Sequence, residues 1–182
     1  MSSRTSRMAL FIDGFNLSVT AKMLGFDIDF RCLLNEFEGR GTLLRAFYYT
    51  TIIEEQNSTV RPLVDWLDYN GYTVITKTKK EFSDRDGDRR FKGRINVDLA
   101  VDAMELADHI DEMVLFSGDG EYRRLVEAVQ RRGVRVKVVS TIASQPPMIS
   151  DDLRRQADSF VDLLTLRPLI ARTQGKATRG DG

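Results

Sequence analysis

The sequence predicts an α/β fold in which a mostly parallel sheet is covered by helices on both faces. Short apolar runs rich in β-branched residues alternate with segments of helical periodicity. The length of 182 residues suits one domain, and 42% hydrophobic with 30% charged residues is typical of a folded chain. Repeated strand–helix–strand units favour parallel strands, because each right-handed crossover places a helix over the sheet.

Five apolar runs are predicted as strands, since turn or capping residues bound each of them. In chain order they are residues 8–12, 43–49, 72–76, 113–116 and 134–139. Apolar residues at helical spacing predict helices at residues 58–70, at residues 96–107 and in the segment that ends at Gly133. A last short helix is expected from Ser150, followed by a strand near residues 160–164.

Two segments fall outside this pattern. Residues 77–94 are highly charged and interrupted by glycine, which indicates a loop or hairpin. The tail at residues 173–182 is small and polar, so we expect it to be disordered. The predicted organisation is one domain at residues 8–165 and a C-terminal extension at residues 166–182 whose distal part lacks structure.

Composition excludes several classes of function. With one His and one Cys, the chain can form neither a disulfide framework nor a Cys/His zinc site. The 27 basic and 27 acidic side chains balance, which argues against non-specific coating of nucleic acid. The start of the chain lacks a signal-peptide pattern and no apolar run approaches the ~18 residues that span a bilayer, so we expect a cytoplasmic protein without membrane association.

The first polar cluster, residues 12–16, comes directly after the first predicted strand. Asp13 is expected at the strand tip, Gly14 permits a sharp turn, and Asn16 lies near the start of the next helix. Ligands of open α/β sheets bind beyond the carboxyl ends of the strands, so this is a candidate site. The alternative is that Asp13 only caps the helix.

The second cluster places Asp98 and Asp102 four residues apart on one helix face. Two like charges at this spacing repel each other, and a bound cation would offset the repulsion. A solvated acidic face is the alternative. The neighbouring Val97, Leu99 and Val101 argue against it, because they indicate a helix packed on the sheet.

The third cluster, residues 116–121, follows the fourth predicted strand. Asp119 again stands at a strand tip, Ser117 adds a hydroxyl, and Gly118 and Gly120 allow a close backbone approach. A strand that ends in this way and leads into a helix suits an ion or a phosphate. An ordinary turn capped by Asp is the alternative.

Together the three clusters predict a metal-dependent phosphotransfer site. Strands one and four are neighbours in many doubly wound sheets, so four carboxylates can converge: Asp13, Asp98, Asp102 and Asp119. Carboxylates that close would not all stay ionised without a divalent cation, and oxygen ligands select Mg²⁺ or Mn²⁺ over zinc. Such sites commonly activate water for phosphodiester hydrolysis.

The same residues resemble the signatures of NYN domains, and more narrowly the LabA-like group. The similarity covers residues 8–164 and is carried by residues 11–16, by Phe91-Lys92-Gly93 leading to Val97-Asp98, and by residues 116–119. NYN domains belong to the PIN-like nucleases, so the resemblance implies a three-layer α/β/α sandwich and cleavage of RNA with Mg²⁺ or Mn²⁺.

The resemblance also implies roles for individual residues. Asp13, Asp98 and Asp119 match the catalytic metal-binding acids of the family, with Asp102 as a fourth metal ligand. Asn16, Ser117 and Glu121 are expected to support them, although Glu121 stands where the family commonly has Asp.

The charged segment at residues 77–94 is a candidate RNA-binding surface beside these acids. Basic side chains would contact phosphates, and Phe82 or Phe91 could stack on an unpaired base, which favours single-stranded RNA. The predicted RNA-binding residues are Lys80, Arg89, Arg90, Lys92, Arg94 and Arg123. A solvated charged loop is the alternative.

Two other functions compete with a ribonuclease. A phosphatase or receiver-like domain would use Asp13 as its nucleophile, but the second Asp that phosphatases need is replaced by Phe15, and Lys137 lies within a strand. The stronger alternative is an RNA-binding or protein-interaction regulator that keeps the fold with little or no catalysis. The sequence leaves open whether two copies form a homodimer.

Overall fold

Six parallel strands form the central sheet of this protein. The computed structural model describes residues 5–53, 57–79, 81–83, 89–91 and 95–173. The sheet strands are β1 (Arg7–Asp13), β2 (Thr42–Ile53), β3 (Thr73–Lys79), β6 (Glu112–Phe116), β7 (Arg135–Ser140) and β8 (Ser159–Asp162). They lie in the order β3-β2-β1-β6-β7-β8, which confirms the predicted parallel sheet.

Helices cover both faces of this sheet. In chain order they are α1 (Gly14–Met23), α2 (Phe30–Glu38), α3 (Asn57–Tyr69), α4 (Asn96–Leu106), α5 (Arg123–Gln130), α6 (Asp151–Gln156) and α7 (Leu163–Ile170). Side chains of α1, α2, α3 and α7 pack into one core, and side chains of α4, α5 and α6 pack into the other. The fold is therefore the three-layer α/β/α sandwich that the family resemblance implies.

The two cores separate because side chains alternate along buried strands. In β1, Leu10 and Ile12 enter the core beneath α1, whereas Ala9 and Phe11 enter the core beneath α4. All four are fully buried. A strand buried on both faces is apolar throughout, which is why an unbroken apolar run predicted it correctly.

Strand order reverses between β1 and β6. From β1 the chain proceeds outward to β2 and β3, then returns to the other side of β1 to add β6, β7 and β8. The carboxyl ends of β1 and β6 therefore flank the switch point, where open α/β sheets bind ligands. Asp13 ends β1, and residues 117–119 follow β6 directly, so the first and third polar clusters meet at this point.

The charged segment and the chain end complete the described structure. The first residues of the charged segment extend β3, and the short strands β4 (Glu81–Ser83) and β5 (Arg89–Phe91) pair antiparallel, so the segment contains a hairpin. Helix α7 packs against α2. Beyond residue 173, the tail that we expect to be disordered lies outside the described residues. The predicted domain boundary at residue 165 stays a prediction.

Two helices differ from the sequence-based expectation. The strand predicted near residues 160–164 ends at Asp162, whose side chain accepts a hydrogen bond from Leu164 N and begins α7. Helix α2 was not predicted, although Asp29 caps it and Leu33 and Phe37 lie on its buried face. No helix within the described ranges is both long and apolar enough to cross a membrane.

Candidate metal and nucleic-acid site

Asp13 is the most buried acid of the candidate site. It ends β1 with only 7% of its surface exposed, and its Oδ1 accepts a hydrogen bond from Asn16 N (3.2 Å) that caps α1. Its Oδ2 accepts hydrogen bonds from Ser117 Oγ (3.2 Å) and Tyr122 OH (3.4 Å). The aspartate thus caps the helix and also faces the end of β6, so the two interpretations of the first cluster are compatible.

Burial raises the pKa of Asp13 above its ordinary value. The hydrogen bonds from Asn16, Ser117 and Tyr122 act in the opposite direction, and the negative charge of Asp119 adds to the increase. The donors around Asp13 are neutral groups, so they stabilise the ionised carboxylate less than a cation would. A divalent cation would stabilise the ionised form of a buried carboxylate that lies beside a second carboxylate.

Asp119 occupies the corresponding position after β6. Its backbone N–H donates to Ser117 Oγ (3.2 Å), and its Oδ1 accepts from Glu121 N (2.9 Å) to cap the 3₁₀ turn Gly120–Tyr122. Ser117 is therefore hydrogen-bonded to both acids. Asn16 links the same two segments, because its Oδ1 accepts a hydrogen bond from Gly118 N at 3.0 Å.

Two glycines are required by close packing around these acids. A Cβ atom at Gly14 would lie 2.5 Å from Cζ of Tyr48, and one at Gly118 would lie 2.0 Å from the carbonyl oxygen of Met148. The Tyr48 ring therefore fills the space that a side chain at residue 14 would occupy. Burial, together with the charge of Asp13, raises the pKa of Tyr48 to about 12, so this phenol stays neutral.

Asn96 and Tyr122 connect the acids, and neither was predicted as a site residue. Asn96 Nδ2 donates to Glu121 Oε2 (3.0 Å) and lies 3.4 Å from Asp119 Oδ2, while Tyr122 OH lies 3.0 Å from Asn96 Oδ1. Burial and the charge of Asp13 raise the pKa of Tyr122. Asn96 stands two residues before Asp98 and Tyr122 directly follows the third cluster, so proximity in sequence was the available signal.

The acids of α4 are held by different partners. Asp98 Oδ2 lies 2.6 Å from Lys77 Nζ on β3, and Asp102 Oδ2 accepts a hydrogen bond from Tyr49 OH on β2 (2.8 Å). Burial and this bond to Asp102 raise the pKa of Tyr49. Lys77 and Tyr49 were not predicted as site residues. Tyr49 is in register with Asp13, which becomes visible only once β2 is placed beside β1.

The four carboxylates do not form one preassembled cluster. Within the residues that the structure describes, no three carboxylate, imidazole or thiol groups are arranged to hold one metal ion together. The physical reason is that like charges repel, so each carboxylate takes its own donors. The structure brings Asp13 and Asp119 to the same switch point, while Lys77 and Tyr49 hold the α4 pair. The catalytic and metal-binding roles of Asp13, Asp98, Asp102 and Asp119 stay predictions.

The predicted RNA-binding residues are described only in part. Lys80, Lys92 and Arg94 lie outside the described residues, and Arg89 and Arg90 are described only as backbone of β5. Arg123 is half-buried at the first position of α5, directly after the 3₁₀ turn that Asp119 caps. Among the candidates, Arg123 is therefore the cation whose position beside the acids is described.

The fold is a three-layer α/β/α sandwich with two acids at the switch point between β1 and β6. The family model of the NYN domain matches residues 7–164, and the chain belongs to the NYN domain family. The chain is similar to the low amplitude and bright protein LabA of Synechococcus elongatus, with 36% identity over 178 residues that cover 96% of this chain and 92% of the relative.

A solved structure supports the same architecture. A protein of unknown function from Vibrio parahaemolyticus superimposes on this chain with a TM-score of 0.72 at 26% sequence identity. The alignment covers 90% of this chain and 96% of the other. The likeness therefore extends over the whole sandwich.

Proposed function

We propose that this protein is a metal-dependent ribonuclease that hydrolyses phosphodiester bonds of single-stranded RNA. The observation that carries the proposal is the position of Asp13. It is a buried carboxylate with a raised pKa, it stands at the switch point of the sheet, and it shares Ser117 with Asp119. Membership of the NYN family supports a nuclease that depends on divalent metal ions, as PIN-like nuclease domains generally do.

The donor set suits a hard cation such as Mg²⁺ or Mn²⁺. Among the described residues, the ligands that the switch point offers are oxygens of the carboxylates of Asp13 and Asp119 and of the Ser117 hydroxyl between them. When bound, the ion would polarise the phosphate and lower the pKa of water. Asp13 and Asp119 would hold it, and Asp98 and Asp102 would join after Lys77 and Tyr49 release them.

The remaining residues orient these acids and bind the substrate. Asn16 and Ser117 fix the two strand ends relative to each other through bonds to Gly118, Asp13 and Asp119. Glu121 is exposed and accepts from Asn96, so it can accept a proton from water near Asp119. Phosphates of the RNA would be bound by Arg123 and by the basic residues of the hairpin segment.

A regulator that binds RNA or protein without catalysis is the second candidate. One observation favours it: Lys77 and Tyr49 already neutralise or bond the two acids of α4. If that arrangement persists with Mg²⁺ present, only two of the four predicted ligands remain at the switch point. The fold would then serve binding rather than hydrolysis.

Cleavage of end-labelled single-stranded RNA in Mg²⁺ or Mn²⁺ tests the proposal. Wild type should cleave, EDTA should stop cleavage, and Asp13→Asn and Asp119→Asn should each lower the rate by roughly 10²-fold or more, on the scale of losing one preorganised charge-stabilising group. Asp108→Asn is the matched control, because its side chain is 66% exposed and pairs with Arg132 away from the site.

Two results would reject the ribonuclease. Equal cleavage by wild type, Asp13→Asn and Asp119→Asn would mean that the observed activity does not belong to this site. Absence of cleavage by wild type in either metal, together with retained RNA binding, would favour the non-catalytic regulator. Identical purification of all variants controls for contaminating nucleases.

A further inference from the structure

Phe15 is held in solvent directly beside the buried acid. Its side chain is 76% exposed, whereas the residues on either side of it are fixed. Asn16 N donates to Asp13 Oδ1, and Asn16 Oδ1 accepts from Gly118 N. The backbone that carries Phe15 is therefore anchored to both strand ends of the switch point. An exposed aromatic ring on an anchored backbone is available to contact a ligand that binds at the acids.

A second strand–helix junction shows that the position alone does not require an aromatic ring. At the start of α7, Asp162 caps the helix and Leu164 stands two residues later, as Phe15 stands two residues after Asp13. Leu164 is 41% exposed. The same turn geometry thus accepts an aliphatic residue at the edge of the sheet. Of these two junctions, the one at Asp13 combines an exposed ring with a buried carboxylate.

We propose that Phe15 is a stacking surface for an unpaired nucleobase of the RNA that binds at Asp13 and Asp119. The proposal rests on the proposed function for the identity of the ligand as RNA. Every base has a π-face that stacks on an aromatic ring, and a phenyl ring offers no hydrogen bond to read the base edge. Phe15 therefore gives affinity and position without sequence specificity.

This role determines which form of RNA binds. Bases in a duplex are already stacked and paired, so a single-stranded segment can place a base on Phe15 at much lower cost. Purines and pyrimidines can both occupy this position, because each presents a π-face to the phenyl ring. Because Phe15 stands two residues after Asp13, a base stacked on it would belong to a nucleotide near the phosphate at the acids.

Binding of a single-stranded RNA that contains 2-aminopurine tests this role without cleavage. With Ca²⁺ in place of Mg²⁺, wild type should quench the 2-aminopurine fluorescence, since stacking quenches this base. Phe15→Ala should weaken binding about 5- to 100-fold, the range measured for loss of one base–aromatic stack, and should abolish the quenching. Phe15→Trp should retain both, and Phe15→Leu should keep the apolar contact but lose the quenching.

Leu164→Ala is the matched control, because it removes an exposed apolar side chain from the equivalent position of the other junction. It should bind RNA as wild type does. The melting temperatures of all four variants should stay close to that of wild type, since the altered side chains are exposed. Retained fluorescence quenching by Phe15→Ala, or an equal loss of affinity in Leu164→Ala, would overturn the proposal.

The cleavage assay separates this inference from the proposed function. If wild type cleaves RNA and Phe15→Ala binds and cleaves equally well, the stacking role is wrong and the nuclease stands. If wild type does not cleave but quenches 2-aminopurine in a Phe15-dependent way, the nuclease is wrong and the stacking role stands. A wild-type protein that binds no single-stranded RNA would overturn both.

Discussion

Two strand–helix junctions of this protein share one local design and differ in their surroundings. Asp13 ends β1 and caps α1, and Asp162 ends β8 and caps α7. At Asp13, the remaining carboxylate oxygen receives two long side-chain hydrogen bonds, of 3.2 and 3.4 Å, inside a buried pocket. At Asp162, three short hydrogen bonds of 2.8 to 3.0 Å come from the adjacent loop and from α7.

The difference follows from position in the sheet. β8 is the outermost strand, so Asp162 has room for donors from the loop after β7 and needs no other partner. Asp13 lies at the centre, where the segment after β6 delivers a second acid, Asp119, in addition to the donors Ser117 and Tyr122. A capping aspartate can therefore be purely structural at the edge of a sheet, whereas at the switch point burial and a second acid disfavour its charged form.

The comparison predicts its largest effect for the structural aspartate. Asp162→Ala removes the cap of α7 and the acceptor for Thr141 Oγ1 and Ile142 N, so it should lower the free energy of unfolding by about 2–3 kcal/mol. Urea denaturation measures this loss. RNA cleavage per folded molecule should stay at the wild-type level. A cleavage defect comparable to that of Asp13→Asn would contradict the distinction between the two junctions.

The residue after Asp13, Gly14, gives the next largest effect on stability. Gly14→Ala would place a methyl group against the buried ring of Tyr48, which overpacks the core and should cost about 1–3 kcal/mol. Gly25→Ala is an informative control, because nothing lies within 4 Å of a Cβ there and only its φ of +77° opposes the change. Equal stability of Gly14→Ala and wild type in thermal denaturation would show that Tyr48 moves freely.

The raised pKa of Asp13 predicts that replacing this aspartate stabilises the protein, and that the gain depends on pH. The native state binds the Asp13 proton more tightly than the unfolded state, so stability falls as pH rises from the ordinary Asp value through the native pKa. Asp13→Asn removes this loss. In EDTA it should raise the melting temperature by a few degrees near pH 7, and the difference should vanish as the pH is lowered below the ordinary pKa of Asp.

Mg²⁺ provides the control for that measurement. A cation bound at the acids stabilises the native state by mass action, so Mg²⁺ should raise the melting temperature of wild type more than that of Asp13→Asn. Asp162→Asn should keep the wild-type Mg²⁺ response. A lower melting temperature for Asp13→Asn than for wild type at pH 7 in EDTA would contradict burial as the dominant influence on Asp13.

Parts of the site were predictable because they depend on sequence neighbours and strand order. The apolar runs predicted β1 and β6, and parallel neighbours place their carboxyl ends together, so the meeting of Asp13 and Asp119 followed from the sequence. The sequence of α4 did not predict the contact that this helix makes with Asp119. Asn96 reaches Asp119 only because α4 begins beside the 3₁₀ turn, and no local pattern encodes that contact.

Partners from distant strands could not be predicted for the same reason. Tyr49 stands on β2 and Lys77 on β3, and their side chains contact the two acids of α4. Their side chains are ordinary strand residues in the sequence. The expectation that all four acids converge treated the carboxylates as if only a metal ion could offset their repulsion, whereas the protein provides a lysine and a tyrosine.

Replacing Lys77 gives the smallest predicted effect on stability. It extends the comparison to Asp98, an acid whose counter-ion is a lysine of the same chain. Lys77 and Asp98 are each 35% exposed, so water and salt screen the pair, and Lys77→Gln should lower the free energy of unfolding by about 0.2–1 kcal/mol in EDTA. The loss should shrink in 0.5 M NaCl and in saturating Mn²⁺, because a cation bound at Asp98 replaces the lost charge. Lys22→Gln, an exposed lysine on α1, should respond to neither. If the loss caused by Lys77→Gln were instead equal with and without Mn²⁺, Asp98 would not belong to the metal site, and the predicted ligand set would contract to the two acids at the switch point.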